Sequence, residues 1–410
     1  MLKHMGEKAR EAARLLALST GAQRNRALGL IGQALQSKAA ALMQANQADI
    51  LVAEGLSSAM VDRLRLTQGR IEGMVTALQE LRALPDPIHQ TLWEGERPNG
   101  LRIRRVSVPL GVIAVIFESR PNVTIDAAAM CLKSGNAVIL RGGKEAIHTN
   151  TALCALIRDS LDEAGLPRDS VQLVEDTSRE SATALMKLRP YVDLLVPRGG
   201  PGLIKAALEN ATVPVLQTGE GVCHVYVDKA ADIDMALTVT VNAKCNRCST
   251  CNAAECLLIH QDIAPRALPQ IAQALIAQGV ELRADPAALS LIPQAKPAAE
   301  EDWGREYNDL IMAVKVVGSI DEAMRHIARY GTQHSEAIIT HDLEAKQRFF
   351  DQVDAAAVYH NASTRFTDGG EFGFGAEIGI ATQKLHCRGP VGITNLCSYK
   401  YLIEGEGQTR

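Results

Sequence analysis

Residues 242–252 read Asn-Ala-Lys-Cys-Asn-Arg-Cys-Ser-Thr-Cys-Asn, with three cysteines each separated by two residues and Cys256 five positions beyond the last. Three chemistries fit those side chains. A thiolate nucleophile would gain from the nearby cations Lys244 and Arg247, which favour an anionic sulfur. A metal or iron–sulfur centre would use the C-x2-C-x2-C spacing, which overlaps a ferredoxin run. Burial as small apolar side chains is a common role of free cysteine. The metal reading fits less well: Cys256 falls one residue late for the ferredoxin spacing, no Cys-Pro follows, and no second Cys or His cluster occurs elsewhere in the sequence.

Such a passage needs elements to hold it. Residues 235–244 have the pattern of a helix and 256–259 that of an apolar strand, so the cysteines fall in a loop at element ends, where catalytic groups commonly sit. Upstream, 5–18 and 25–42 repeat apolar residues at helical spacing, with Ser19 and Thr20 as cap chemistry between them, and Pro85-Asp86-Pro87 ends the helical region. Residues 101–108 alternate like a strand with one wet face, and 112–117 are apolar throughout, like a strand covered on both faces. Helices at 124–134, 150–164 and 179–187 then alternate with strands at 137–141, 171–174 and 194–197, which argues for a parallel sheet with helical crossovers. A second alternating region runs from about 231 to 381.

Bulk composition is permissive. A chain of 410 residues is long enough for two domains, and 47% apolar with 22% charged residues is the balance of an ordinary globular protein. A net charge of −4 gives no electrostatic case for a nucleic-acid or membrane partner. The opening MLKHMGEKAREAARLLALS breaks every apolar stretch with charge, unlike a secretory signal. No apolar run approaches the roughly 20 residues of a membrane span. Nine cysteines at irregular spacing suggest reduced thiols and a cytoplasmic location.

Several long stretches resemble, in type and order, the γ-glutamyl phosphate reductases, a branch of the aldehyde dehydrogenase superfamily. They are PLGVIAVIFESRPNVTIDAAAMCLKSGNAVILRGGKEA (109–146), LLVPRGGPGLI (194–204), GVCHVYVD (221–228), VNAK..R.STCN (241–252), YGTQHSEAI (330–338) and NASTRFTDGGEFGFGAEIGIATQKLH.RGPVG (361–392). The resemblance makes Cys251 the nucleophile and leaves Cys245 and Cys248 as departures from the pattern. It implies that Cys251 attacks the acyl carbon of an acyl phosphate and that the resulting thioester is reduced by hydride to an aldehyde. For the oxyanion, aldehyde dehydrogenases use an Asn two residues before a Pro; Ser119 stands there, and Asn122, one residue past Pro121, is the substitute or else a turn-former. Gln217 falls where hydrolytic relatives carry a general-base Glu, which suits an enzyme that does not hydrolyse its thioester; a shifted register would restore Glu220.

The resemblance also implies NADP(H). Ser119 and Pro121 border that cofactor; Arg141 and Lys144 follow the strand at 137–141, where basic side chains suit a 2′-phosphate. Gly199 and Gly200 open a helix where backbone can approach a pyrophosphate, or form a plain turn. Glu306 aligns with the Glu that binds the nicotinamide ribose, with a surface carboxylate as the rival reading. For the substrate, Asn361, Ser363 and Arg365 offer donors after a strand at 355–359, and His334 is a second candidate; a structural Arg salt bridge and a core histidine are the alternatives. No metal is expected.

The fold implied is α/β and aldehyde dehydrogenase-like. An NADP-binding domain of Rossmann type covers 1–100 and 117–220, and a smaller catalytic domain covers 221–383. A β-ribbon at 101–116 with a tail at 384–410 forms an oligomerisation flap, because the 101–108 strand offers an edge that needs covering. Expected partners are a small acyl phosphate, further copies of the chain, and the glutamate 5-kinase that makes the labile substrate.

Overall fold

The computed structural model describes residues 1–52 and 58–410, which form two compact units. One comprises Met1–Thr218, Gly373–Gly379 and Val391–Arg410; the other comprises Gly219–Phe372 and Ile380–Pro390.

The first unit opens with helices. The pattern at 5–18 forms Leu2–Leu16, whereas 25–42 is shared between Gly21–Ser37 and Ala39–Leu51, broken at Lys38, whose ψ of 12° leaves the helical region. Thr20 caps the second helix: its hydroxyl accepts from Gln23 N–H while the Gln23 side chain accepts from Thr20 N–H. Behind the helices lies a parallel sheet in the order Val171–Leu173, Ala137–Arg141, Val112–Phe117, Leu194–Arg198. All six residues of Val112–Phe117 are buried, and Ala9 and Ala13 of the first helix pack with Val112, Ala114 and Ile116. Strand order reverses between Val112–Phe117 and Leu194–Arg198, which opens a crevice beyond their carboxyl ends.

A three-stranded antiparallel sheet completes this unit, in the order Thr91–Glu96, Arg102–Pro109, Cys397–Glu404. The ribbon therefore ends at Pro109. Residues 112–116, assigned to it from sequence, belong to the parallel sheet instead. Thr91–Glu96 went unread as a strand because it is almost wholly exposed and carries no apolar alternation.

The second unit is built on a seven-stranded parallel sheet. Its order is Lys296–Pro297, Glu281–Ala284, Ile311–Val317, Ala254–His260, Cys223–Val227, Ser335–Ile339, Ala357–His360. Val225, Val227, Leu257 and Ile259 face one helical layer, which includes Ala264–Ala277. Tyr226, Cys256 and Leu258 face the other, with Ala323, Ile327 and Phe349. Each strand is apolar on both faces because each face is covered. Among the described residues no helix is long and apolar enough to cross a membrane.

Candidate active site

The cysteine run lies in the second unit, between the helix Ile233–Cys245 and the strand Ala254–His260, in the loop foreseen for it. Asp232 starts the helix by accepting from Met235 N–H. Cys245, Cys248 and Cys251 are half-buried, and all nine cysteines are thiols. The one set of three metal-ligating side chains that converges among the described residues excludes this run.

Lys244 does not serve the sulfur as its spacing suggested. It is buried, and its Nζ lies 2.6 Å from Glu255 Oε2, so its charge is met by a carboxylate. Burial pushes the Glu255 carboxyl up to about 7 against the pull of Lys244. Glu255 is also the extra residue of a bulge: Cys223 pairs with Ala254 and His224 with Cys256.

Four groups fix the loop around Cys251. The Gly221 backbone lies directly against it: a Cβ on Gly221 would fall 1.4 Å from the Cys251 carbonyl oxygen, so only glycine fits. Gly221 is held in turn by Glu306, whose Oε1 accepts its N–H at 2.8 Å while Oε2 accepts from the Asn308 amide at 2.9 Å. The Cys223 thiol donates to the Cys251 carbonyl at 3.2 Å; burial pushes its pKa well up, so it stays a protonated donor. Asn252, next to Cys251 in the chain, donates its amide to the Arg365 and Thr367 carbonyls, and its own carbonyl accepts from Thr364 Oγ1 at 2.7 Å.

Arg365 closes this clamp. Its Nε donates to Asn246 Oδ1 at 3.2 Å and its Nη1 to Thr250 Oγ1 at 2.8 Å and to Asn252 Oδ1, so one guanidinium ties together three points of the loop. Partial burial and the neighbouring Arg247 weaken its hold on its proton; Asp368 and the Cys251 sulfur act the other way.

The other candidates of this unit sit nearby with local duties. The Asn361 amide is spent on the backbone of Thr340, at 2.9 and 3.0 Å, and its φ of 55° is a conformation Asn tolerates. Ser363 caps the short helix Thr364–Phe366. His334 is fully buried, and burial pushes its imidazole down to about 4, which keeps it neutral. Its Nδ1 meets Ser335 Oγ at 2.8 Å, in a chain that continues through Thr367 Oγ1 to the Tyr359 hydroxyl.

The first unit gathers the remaining candidates around the crevice of its sheet. Ser119 follows the strand Val112–Phe117 with φ 26°, and Glu145 Oε1 accepts both its N–H and its hydroxyl, at 2.9 and 2.6 Å. Pro121 opens the helix Asn122–Lys133, and the Asn122 amide donates to Asp126 Oδ2 at 2.9 Å, so the donor that an oxyanion would need is engaged one turn along. Gly199 and Gly200 follow Leu194–Arg198; Gly200 N–H donates to Glu118 Oε2 at 2.9 Å, which shows that this helix start favours an anionic oxygen. A Cβ on Gly199 would fall 2.6 Å from the Glu118 carboxyl carbon. Arg141 differs from its reading as an open phosphate ligand: its Nη2 donates to the Thr177 and Ser178 carbonyls at 2.5 and 2.8 Å. Lys144 is exposed.

Gly221 and Cys223 are parts of the site that the sequence does not single out, although both stand in the GVCHVYVD stretch. Nothing local marks either residue, since the contact that matters lies some 30 positions away.

Comparison with known proteins agrees with this architecture. Residues 2–301 match the model of the aldehyde dehydrogenase family. The chain is 54% identical over 409 residues to a gamma-glutamyl phosphate reductase of Listeria monocytogenes, covering 99% of this chain and 98% of that protein. It is 52% identical over 424 residues to one of Symbiobacterium thermophilum, covering all of both. The crystal structure of gamma-glutamyl phosphate reductase from Thermotoga maritima superposes with a TM-score of 0.98 at 46% identity, covering 99% of each chain. With both sheets, the pinned cysteine loop and these full-length matches in agreement, the chain belongs to the aldehyde dehydrogenase family, in its γ-glutamyl phosphate reductase branch.

Proposed function

We propose that this chain reduces L-glutamyl 5-phosphate to L-glutamate 5-semialdehyde and phosphate with NADPH, in the cytoplasmic synthesis of proline, through a thioester on Cys251. The observation that carries this reading is the clamp on the Cys251 loop. Gly221, Cys223, Asn252 and Arg365 fix its backbone while the nucleophile itself stays half-exposed.

The Cys251 sulfur attacks the acyl carbon, the carbon–oxygen bond to the phosphoryl group breaks, and phosphate departs, leaving the glutamyl thioester. NADPH, when bound, would supply the hydride that turns the thioester into a hemithioacetal anion. Its C–S bond then breaks, the aldehyde leaves and the thiolate returns. Arg365, with Arg247 beside it, gives the site positive charge for the anionic substrate and for the sulfur anion. Glu306 does its part through Gly221, holding the backbone on which the Cys251 carbonyl rests.

The fit of a dinucleotide is supported by the strand-order reversal in the first unit and by Gly200 at the start of the helix Pro201–Asn210, where its N–H already favours a carboxylate oxygen. Ser119, Pro121, Gly199 and Gly200 would line that crevice. With Arg141 tied to carbonyls, the preference for a 2′-phosphate rests chiefly on Lys144. Exposed Trp93, Tyr401 and Ile403 on the antiparallel sheet suit covering by another copy of the chain, and glutamate 5-kinase is the proposed source of the substrate.

The test is NADP+ reduction with glutamate 5-semialdehyde. The proposal requires that turnover depend on added phosphate; equal turnover without phosphate would mean a hydrolytic aldehyde dehydrogenase instead.

A further inference from the structure

The second unit buries a cluster that the proposed reaction does not use. Parallel register sets Cys256, His224 and Glu336 side by side on three adjacent strands: His224 pairs with Cys256 on one side and with Glu336 on the other. A row of this kind shares one face of the sheet. The helix Ile320–Tyr330 covers that face and brings His326 down onto it, with Trp303, Ala323 and Ile327 packed around. One ligating atom from each of His224, Cys256 and His326 lies within 4.8 Å of the other two, and Cys256 Sγ is 3.8 Å from His326 Nε2. His224 and Cys256 are fully buried and His326 nearly so.

Two details separate this cluster from ordinary packing. Glu336 Oε2 accepts from the His224 backbone N–H at 2.8 Å and lies 2.9 Å from its Nδ1. The Glu336 contact holds Nδ1 and leaves Nε2 on the side of the cluster, the carboxylate–histidine arrangement that orients imidazoles on metals. Nε2 is itself buried and reaches no partner at normal hydrogen-bond distance; the side chain that faces it is that of Cys256.

We propose that His224, Cys256 and His326 form a buried site for one zinc ion. Three corners of a zinc tetrahedron, each donor about 2.2 Å from the ion, lie about 3.6 Å apart. The sulfur–imidazole separation of 3.8 Å is close to that, and the limit of 4.8 Å leaves small movements for the rest. Charge selects the ion: the Cys256 thiolate and the Glu336 carboxylate together balance a divalent cation, whereas a monovalent one would leave net charge in a dry interior. Imidazole and thiolate donors favour zinc over the oxygen-seeking magnesium and calcium. The ion joins two central strands to their covering helix, and Cys256 lies on the strand that leads away from the nucleophile loop, so zinc would stiffen the base of that loop.

The test is elemental analysis of the full-length protein expressed in zinc-supplemented medium and dialysed against EDTA. Wild type should retain about one zinc per chain; Cys256→Ser and His326→Gln should each fall to below about a tenth of that. Cys245→Ala/Cys248→Ala, which alters only the half-buried cysteine run, should keep its zinc. A cobalt-grown sample of that double variant should show a thiolate-to-metal charge-transfer band, which reads the same site even if the Cys256 or His326 variants fold poorly. Wild type without zinc, a cobalt sample without the band, or zinc that follows Cys245 and Cys248 instead would each overturn the proposal.

Discussion

Gly221→Ala tests how tightly the nucleophile is placed. The new Cβ would lie 1.4 Å from the Cys251 carbonyl oxygen and 2.3 Å from its carbonyl carbon, and side-chain carbons essentially never approach such atoms within 3.0 Å. The two backbones must therefore part by at least 1.6 Å, and neither is the yielding end of a flexible side chain. Gly221 is tied to Glu306, and the Cys251 carbonyl to the Cys223 thiol, so the displacement falls on the groups that aim the sulfur. Misplacing a reacting atom by about 1 Å costs on the order of a hundredfold in rate, or about 2.7 kcal/mol of transition-state stabilisation. Overpacking would also lower stability by about 1–3 kcal/mol. The assay is kcat/KM for phosphate-dependent NADP+ reduction, measured on protein whose fold is checked by circular dichroism. Gly73→Ala is the control: Gly73 lies in the helix Gln68–Ala83 with nothing within 4 Å of a Cβ, so that variant should keep full activity. A folded Gly221→Ala protein within about threefold of wild type would mean that the Cys251 loop tolerates the displacement.

Arg365→Lys keeps the charge but cannot bridge Asn246, Thr250 and Asn252, so kcat/KM should fall about 10- to 100-fold; an unchanged value would make Arg365 a mere point charge. Lys144→Glu should raise the KM for NADPH about tenfold and leave that for NADH nearly alone, as steady-state kinetics with both cofactors would show. His334 gives a pH dependence whose sign follows from its imidazole lying at about 4 in the folded protein and near 6.5 in the unfolded chain. Below about pH 6.5 the unfolded chain takes up a proton that the folded protein refuses, so stability is complete above that pH and declines towards pH 4 by about 3 kcal/mol. Urea unfolding from pH 4 to 7 should show this decline in wild type and a shallower one in His334→Gln.

The parts legible in sequence are those that depend on neighbours along the chain. The apolar run at 112–117 is a fully buried strand, and the cysteine loop lies between the helix and strand that flank it in sequence. Long-range pairing misled the rest. Lys244 looked like a cation for the sulfur until Glu255, carried round by a bulge, proved to take its charge. Arg141 looked open for a phosphate, but the carbonyls of Thr177 and Ser178 reach it through the fold. Of the row of donors at 361–365, Asn361 gives its amide to the Thr340 carbonyl, and the Ser363 hydroxyl accepts from Arg365 N–H to cap its own short helix. A row of polar side chains in sequence has no direction; only packing decides whether it faces a ligand or its own backbone.

In the proposed reaction the glutamyl group rests on the sulfur of Cys251 between loss of phosphate and arrival of hydride. Incubating the protein with glutamate 5-kinase, glutamate and ATP, without NADPH, and mapping the quenched digest by mass spectrometry should show a glutamyl adduct on the Cys251 peptide alone, and none in Cys251→Ala, which should also be inactive. An adduct on Cys223, Cys245 or Cys248, or an active Cys251→Ala protein, would contradict the account.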